Sequence, residues 1–354
     1  MRKEGSKSVK KGKGQGEIAA VFVRNLRLSL KLLCAGMSAC LCFSLCPCLR
    51  DFYAIQFQND SGGERRRGDH SAIEMNSGAR VEFSKFYSPA LKGDAEYSIF
   101  LPPSYGKGSK KYPVVYFLHG LWNDHTSWTV DRYGHLHEQV DKLIAGNKIP
   151  EILMVHPKGD NSFYTNYKDG SKNYEDCITQ DLIQHIENTY RVKSGAQWRS
   201  IGGTSMGGFG ALKIAFKHKN LYSATAAHSP IIFLSDPSHM PEQAKNSGHF
   251  GFFTQLTTPI FGNPVNLEIW RQNNPLDIAK EADLRGLRIY FDYGTADRYN
   301  QTMGLGEGIK ALHQVLDSRQ IPHIFHEYPN EPHGWELVGL HLSESLPFLC
   351  ETFK

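Results

Sequence analysis

Short apolar runs alternate with amphipathic stretches from about residue 80 onward, and this pattern predicts an α/β fold. Two early stretches, RVEFSKFYS and AEYSIFLPPSY, have the alternating, β-branched and aromatic character of two antiparallel strands. YPVVYFLHG is a wholly apolar run that ends at a glycine, as expected of a strand buried on both faces. Further strands are predicted at EILMVHP, WRSIGGT, SATAAHS, LRIYFDYG and HIFHEY.

Helical patterns fill most of the gaps between these strands. They are predicted around residues 134–145, 175–190 and 302–318, directly after Ser205, and around 336–352. Such alternation predicts a mostly parallel central sheet with antiparallel N-terminal strands and helices on both faces. Residues 230–283, rich in Pro, Phe and Asn, fit no strand and predict a helical, loop-rich insertion over one end of the sheet.

Composition is that of a globular protein with a large core. The chain has 354 residues, of which 40% are hydrophobic, enough for one large α/β domain or two smaller ones. The formal net charge is +4, but Lys and Arg crowd into the first thirty or so positions. Because the remainder is near neutral, no nucleic-acid partner is predicted.

The N-terminal segment, residues 1–50, is predicted to be an export signal or a membrane anchor. Its basic start precedes an uncharged run, LLCAGMSACLCFSLCPCL, and Met37–Cys40 loosely resembles a lipoprotein cleavage site. A secreted or periplasmic protein is therefore expected, with lipoprotein or membrane-anchored forms as alternatives. A flexible connector is predicted at 51–77 and a catalytic domain at 78–354, and the oligomeric state is left open.

No grouping of cysteines and histidines in the sequence has the spacing typical of a zinc site. Most of the seven cysteines lie in or beside the N-terminal apolar run, and only Cys177 and Cys350 belong to the body of the chain. In an oxidising compartment these two could form a disulfide, and two buried free thiols are the alternative.

The stretch IGGTSMGGFG places one serine at a glycine-rich turn between a predicted strand and a predicted helix. Gly203-Thr204-Ser205-Met206-Gly207 matches the nucleophile elbow, in which a tight turn exposes a serine hydroxyl and small flanking residues avoid collisions. The pattern alone is weak, and its strand–turn–helix context strengthens it. Ser205 is therefore the predicted nucleophile.

A serine nucleophile requires a histidine base and an acid that orients it. In proteins built on such an elbow the acid and then the histidine follow the serine in the chain. FDYGTADRYN offers Asp292 and Asp297, and NEPHGWELV offers His333 in a loop after the last strand. Asp297 is the preferred acid because it lies beyond the strand, whereas Asp292 lies within it.

The oxyanion of the transition state needs preorganised donors, which are expected to be backbone N–H groups. One should belong to Met206, directly after the nucleophile, and the second to Leu121 in the loop FLHGLW. His119 of that loop is interpreted as a residue that shapes the loop.

The loop HPKGDNSFYTNY follows a predicted strand and should reach the same rim. Asn161, Ser162 and Tyr164 of this loop, together with Trp122, are the candidate substrate-binding residues, with ordinary surface-loop positions as the alternative. Its Asp and Asn residues lack the spacing of a calcium loop, so neither a metal nor another cofactor is expected.

These motifs, in this order, resemble the esterase D-like family of α/β-hydrolases. The resemblance covers roughly residues 78–354 and is carried by YPVVYFLHG, DNSFYTNY with YEDCITQDLIQHIENTYRV, GGTSMGGFGALKIA, DYGTADRYN and PHGWELV. The family includes S-formylglutathione hydrolases, tributyrin esterases, feruloyl and acetylxylan esterases, and mycolyltransferases. It implies Ser205, Asp297 and His333 as catalytic residues, with the Leu121 and Met206 amides as oxyanion donors.

The sequence thus predicts a serine carboxylic-ester hydrolase that works through an acyl-enzyme. Its expected substrates are extracellular esters, such as acylated polysaccharide or short-chain acyl esters, because the leader argues against the cytosolic S-formylglutathione hydrolases. An acyltransferase of the mycolyltransferase type, an S-formylglutathione hydrolase and a catalytically silent binding module are the alternatives.

Overall fold

The computed structural model describes residues 72–129, 135–234 and 248–353. The predicted export signal or anchor at 1–50 and most of the predicted connector lie outside these residues. Within the described ranges, no helix is both long enough and apolar enough to cross a membrane.

One mixed sheet organises the described residues. Its nine strands are β1 (Ile73–Glu74), β2 (Arg80–Ser88), β3 (Gly93–Leu101), β4 (Val114–Leu118), β5 (Leu153–Pro157), β6 (Arg199–Thr204), β7 (Ala224–His228), β8 (Arg288–Gly294) and β9 (His323–Tyr328). Their order across the sheet is β1-β2-β3-β5-β4-β6-β7-β8-β9.

Strand directions agree with the sequence. The pairs β1–β2, β2–β3 and β3–β5 are antiparallel, and every pair from β5 to β9 is parallel. The predicted parallel sheet with antiparallel N-terminal strands is therefore confirmed. Strand β1 lies before residue 78, so part of the segment that the sequence predicts as a connector belongs to the sheet.

The helices are α1 (Leu136–Ala145), α2 (Leu182–Thr189), α3 (Met206–Lys217), α4 (Gly248–Phe261), α5 (Leu267–Arg271), α6 (Pro275–Glu281), α7 (Arg298–Met303), α8 (Leu305–Ser318) and α9 (Trp335–Cys350). A short helix at Tyr174–Asp176 and a π-helical turn at Cys177–Asp181 lead into α2. The helix predicted at 302–318 is instead two helices, because Gly304 between α7 and α8 has a left-handed backbone, φ 67°.

Apolar side chains bury both faces of the sheet. In β4, Val114, Tyr116 and Leu118 point to the face covered by α2, α3, α6 and α8, whereas Val115 and Phe117 point to the face covered by α1 and α9. Because both faces of β4 are buried, its sequence is apolar at every position instead of alternating with polar residues. Helices α4, α5 and α6 lie in the predicted insertion, whose residues 235–247 are outside the described ranges.

The two body cysteines do not form a disulfide. Cys177 and Cys350 are free and buried, so the alternative of two free thiols holds. Burial raises the pKa of the Cys177 thiol to about 11, which keeps it protonated and unreactive at neutral pH.

A buried lysine fastens helix α3 to the loop that follows β5. Lys213 is fully buried, and its ammonium donates to the Tyr164 carbonyl at 2.5 Å, to Thr165 Oγ1 at 2.9 Å and to Glu175 Oε2 at 2.8 Å. Burial lowers the pKa of Lys213 to about 8 despite the Glu175 partner. Burial alone would raise the pKa of Glu175, but Lys213, His218 and Lys217 outweigh it and hold that pKa far below its usual range.

Replacement of this lysine should therefore destabilise the protein strongly. Lys213→Met removes the donor of the Tyr164 carbonyl and the buried positive charge that pairs with Glu175, and we expect the free energy of unfolding to fall by about 3–5 kcal/mol. The measurement is the urea midpoint at constant m-value. Lys217→Met is the matched control, because Lys217 also pairs with Glu175 but its side chain is 29% exposed, and its loss should be about 1 kcal/mol. Equal losses in the two variants would contradict this role for Lys213.

Candidate active site

Ser205 lies on a tight turn between β6 and α3. Its φ of 57° and ψ of −117° are unusual for a residue with a side chain, and the strain fixes the hydroxyl at the tip of the turn. A Cβ at Gly203 would lie 2.4 Å from the Gly207 carbonyl oxygen, and a Cβ at Gly207 would lie 2.0 Å from that of Leu118. Glycine is thus required at both positions, because the backbones of β4, β6 and α3 approach one another so closely.

Backbone hydrogen bonds hold the turn in this strained state. The Ser205 N–H donates to the His228 carbonyl at 2.9 Å, at the end of neighbouring β7. The Ser205 carbonyl accepts from the Phe209 N–H at 3.0 Å in the first turn of α3. Both bonds leave the side chain free to point away from the sheet.

Three side chains from separate loops form one hydrogen-bonded line. His333 Nε2 lies 2.9 Å from Ser205 Oγ, and His333 Nδ1 lies 2.5 Å from Asp297 Oδ2. The three residues follow the carboxyl ends of β6, β8 and β9, which are parallel strands and therefore end at the same edge of the sheet. The structure thus brings together the three residues that the sequence predicts as catalytic.

The partners of Asp297 determine the tautomer of the histidine. A carboxylate can only accept, so His333 Nδ1 carries the proton and Nε2 presents a lone pair to the Ser205 hydroxyl. The other carboxylate oxygen of Asp297 accepts from the Tyr299 N–H at 2.8 Å, at the start of α7, which fixes the carboxylate plane. The Tyr299 ring meets the imidazole edge-on, with centroids 4.7 Å apart, and restrains its rotation.

Asp292, the alternative acid, belongs to a different hydrogen-bonded line. Its Oδ2 accepts from His228 Nδ1 at 2.8 Å, and His228 Nε2 lies 2.9 Å from Ser345 Oγ. All three of these residues are fully buried. The line therefore has the composition of the site around Ser205 but no access for a substrate, and it ties β7 and β8 to α9.

The loop predicted to supply the second oxyanion donor lies beside Ser205. A Cβ at Gly120 would be 3.4 Å from Ser205 Cβ, so the backbone of residues 120–122 passes directly by the nucleophile. Met206 is the first residue of α3, and its N–H has no carbonyl acceptor within the helix. Leu121 directly follows Gly120 and Met206 directly follows Ser205, so the oxyanion roles predicted for their N–H groups are compatible with this backbone.

Of the four candidate substrate-binding residues, Trp122 is the one with a largely exposed side chain. It is 48% exposed and has a left-handed backbone, φ 63°. Asn161 is half-buried, and its Oδ1 accepts from the Trp122 N–H at 2.9 Å. It therefore holds in place the loop of residues 119–123, which is called the oxyanion loop after its predicted role. The sequence shows no signal for that contact.

Ser162 and Tyr164 lie below the rim and are fully buried. Ser162 Oγ bonds to the Gly159 carbonyl at 2.5 Å and accepts from the Tyr164 N–H at 3.1 Å. The Tyr164 hydroxyl donates to the His119 carbonyl at 3.1 Å, and its ring fills the space that a Cβ at Gly210 would need. Both residues therefore stabilise loops in this structure, and their predicted contact with substrate stays a prediction.

Two further side chains shape the site. His119 Nε2 accepts from the Gly159 N–H at 2.8 Å, so the proton is on Nδ1 and is donated to the Gly120 carbonyl at 2.8 Å. Burial lowers the pKa of His119 to about 4, which keeps this ring neutral. Trp335, two residues after His333, donates from Nε1 to Asn123 Oδ1 at 2.6 Å and joins the histidine loop to the oxyanion loop. No sequence pattern indicates the Trp335–Asn123 pair, since the two residues are far apart in the chain.

A cavity of about 380 Å³ lies on the other side of the loop after β5, and its lining includes Glu96, Lys158, Asp160 and Lys172. None of the three residues of the hydrogen-bonded line is part of that lining. The side-chain groups with metal-ligand spacing in the described part of the chain also consist of other residues.

Comparisons with known proteins identify the family of this chain. The family model described as "Putative esterase" matches residues 88–349. An esterase of Mycobacterium tuberculosis is 27% identical over 266 residues, which cover 71% of this chain and 55% of that protein. This chain therefore spans about half the length of that relative.

Solved structures show the same architecture. A ferulic acid esterase superposes with a TM-score of 0.64 at 26% identity, covering 78% of this chain and 99% of the other. An S-formylglutathione hydrolase from Agrobacterium tumefaciens superposes with a TM-score of 0.63 at 18% identity, covering 80% and 99%. At that lower identity the likeness concerns the fold alone.

If Ser205 is activated by His333, a fluorophosphonate should label it covalently. We expect labelling, followed by intact-protein mass spectrometry and peptide mapping, to be lost in Ser205→Ala and to slow by a factor of about 10³ or more in His333→Ala. Ser345→Ala is the matched control, because Ser345 has a similar histidine and aspartate behind it but is buried, and labelling should persist. Modification of Ser345 in place of Ser205 would overturn the assignment.

Proposed function

Since this chain belongs to the esterase family of α/β-hydrolases, we propose that it is a serine carboxylic-ester hydrolase that uses Ser205, His333 and Asp297. The observation that carries this proposal is the continuous line from Ser205 Oγ to His333 Nε2 at 2.9 Å and from His333 Nδ1 to Asp297 Oδ2 at 2.5 Å. No residue of this line requires a metal or an organic cofactor for ester cleavage.

In the acylation half-reaction, His333 Nε2 takes the Ser205 proton as the oxygen attacks the ester carbonyl. The resulting imidazolium is stabilised by the ionised Asp297, which also holds the ring in the required tautomer. The carbonyl oxygen becomes negative and would accept from the Leu121 and Met206 amides. His333 then donates its proton to the alcohol oxygen as the carbon–oxygen bond breaks, leaving an acyl group on Ser205.

In the deacylation half-reaction, water replaces the alcohol. His333 removes a proton from the water as it attacks the acyl carbonyl, and returns that proton to Ser205 Oγ as the serine leaves. The product is the free acid, and the enzyme regains its initial protonation state. Transfer to a sugar hydroxyl would follow the same steps with another acceptor.

For the substrate, we propose extracellular esters such as acylated polysaccharide or short-chain acyl esters, reached after export through the N-terminal segment. Support comes from two relatives, a ferulic acid esterase and an acetyl esterase of Caldicellulosiruptor saccharolyticus that is 23% identical over 177 residues. Trp122, exposed in the oxyanion loop, would provide an apolar surface for an acyl or alcohol group.

The two aspartates allow a sharp test of this mechanism. Asp297→Asn should lower kcat by about 10⁴-fold, because an amide can donate to Nδ1 and so favours the wrong tautomer of His333. Asp292→Asn should leave kcat within about 10-fold of the wild type while lowering the melting temperature, because it perturbs a buried network away from the hydroxyl. The measurement is steady-state hydrolysis of acetyl, butyryl and feruloyl esters, with circular dichroism to verify folding.

The reverse ranking of the two variants would disprove the proposed acid. Product analysis in the same assays, with and without a sugar acceptor, separates hydrolysis from acyl transfer. If folded wild-type protein hydrolysed none of these esters and modified no acceptor, a binding module would be the better interpretation.

Asn161 should affect turnover through the oxyanion loop. Asn161→Ala removes the acceptor for the Trp122 N–H, and we expect kcat to fall about 10-fold with little change in KM. Asn161→Asp keeps an acceptor but adds a negative charge near the developing oxyanion, so its kcat should fall further. Asn166→Ala is the control, since Asn166 Oδ1 accepts from the Asp176 N–H at 3.2 Å on the same loop. A rise in KM alone would instead make Asn161 a substrate contact, as the sequence predicts.

A further inference from the structure

Two histidines and an aspartate meet where helix α8 packs beside the edge strand β9. His313 and Asp317 are four residues apart on α8 and share one face of that helix, and His323 is the first residue of β9. We call these three residues the His313 cluster. It involves none of the residues assigned above to ester cleavage.

His323 is held in the orientation of a metal ligand. Its Nδ1 lies 2.8 Å from the Ile321 carbonyl, which can only accept, so Nδ1 carries the proton and Nε2 presents a lone pair. Such a bond from the non-ligating nitrogen to a carbonyl fixes the tautomer and the ring in many metal sites. The side chain is 4% exposed and stacks on Phe291, with ring planes 8° apart, so its position is well defined.

The second histidine is also fixed and faces the first. His313 Nδ1 lies 2.8 Å from His323 Nε2, and the His313 ring stacks on Phe325 with centroids 4.5 Å apart. Because His323 Nε2 accepts this bond, His313 Nδ1 carries the proton and His313 Nε2 has the lone pair. Cation binding would break the hydrogen bond, and a rotation of the His313 ring would direct Nε2 to the ion that His323 Nε2 also binds.

The separations suit a small tetrahedral ion. Ligand atoms around Zn²⁺ at about 2.0–2.1 Å lie about 3.3 Å from one another. Here His313 Nε2 lies 3.4 Å from Asp317 Oδ2, and His323 Nε2 lies 3.8 Å from Asp317 Oδ1. One nitrogen of each histidine and one Asp317 oxygen all lie within 4.8 Å of one another, so a modest inward movement of these side chains would reach the separation that zinc requires.

Charge and access also favour a cation. Asp317 is 63% exposed at the mouth of the cluster, so an ion can enter from solvent. Among the residues that the structure describes, Asp317 forms its ion pairs with His313 and His323, and no lysine or arginine competes for its carboxylate.

We propose that the His313 cluster binds a divalent transition-metal ion such as Zn²⁺. His313, Asp317 and His323 supply three ligands, and water completes the tetrahedron. The ion would join α8 to β9, and β9 leads into the loop that carries His333. Its effect is therefore structural, and it takes no part in the chemistry of ester cleavage.

The test is zinc titration of the full-length protein after treatment with EDTA. Isothermal titration calorimetry at neutral pH should show that His323→Gln, His313→Gln and Asp317→Asn each bind one equivalent fewer than the wild type. His135→Gln is the matched control, because His135, His137 and Glu138 form another group with metal-ligand spacing. Zinc bound by the N-terminal cysteines contributes equally to the stoichiometry of the wild type and of each variant, so it does not affect the difference between them.

Co²⁺ provides an independent readout. The difference spectrum between wild type and Asp317→Asn should show the visible bands of tetrahedral cobalt without thiolate charge-transfer absorption. Asp317 is exposed, so this variant should keep its fold and its hydrolysis of short esters. Unchanged stoichiometry in all three cluster variants, or loss of the equivalent in His135→Gln instead, would overturn the proposal.

Discussion

The close approach of helix α3 to strand β4 is the constraint on which the rest of the site depends. A Cβ at Gly207 would lie 2.0 Å from the Leu118 carbonyl oxygen, so the helix can pack at this distance only because that residue is glycine. The packing forces Ser205 into a left-handed backbone and raises its hydroxyl above the sheet. It also sets the end of β4 beside the serine, and the oxyanion loop starts from that end. One backbone contact thereby positions both the proposed nucleophile and the loop proposed to bind the oxyanion.

The structure contains two hydrogen-bonded lines of serine, histidine and aspartate, and they differ in burial. Ser345, His228 and Asp292 have distances close to those of Ser205, His333 and Asp297, yet they are completely enclosed between the sheet and α9. Both lines meet at the end of β7, because the His228 carbonyl accepts from the Ser205 N–H. The buried line can therefore stiffen the base of the turn, while the line at the rim is open to a substrate. Composition alone would not distinguish a catalytic arrangement from a structural one.

The main contribution of the loop after β5 is to hold neighbouring segments of the site in place. Lys213 anchors the loop from below through the Tyr164 carbonyl, and Asn161 reaches from it to the Trp122 N–H. Burial of the Lys213 ammonium is unfavourable in free energy. Its three hydrogen-bond acceptors, one of which is the charged Glu175, offset that cost. A polar loop on the rim thus supports the oxyanion loop, which has a strained backbone at Trp122.

The sequence by itself determined the strand order along the chain, the two-sided burial of the sheet and the identity of the serine turn, because these depend on local periodicity and on glycine at close contacts. It also predicted Asp297 and His333 as partners of the serine, since the loops that follow parallel strands all begin at the same edge of the sheet. Only the tertiary structure decided that Asp292 faces a buried histidine, that Ser162 and Tyr164 lie beneath the rim, and that Asn161 supports a backbone amide. Those outcomes depend on contacts between side chains that are distant in the chain. Such contacts produce no local sequence pattern, so only the folded structure reveals them.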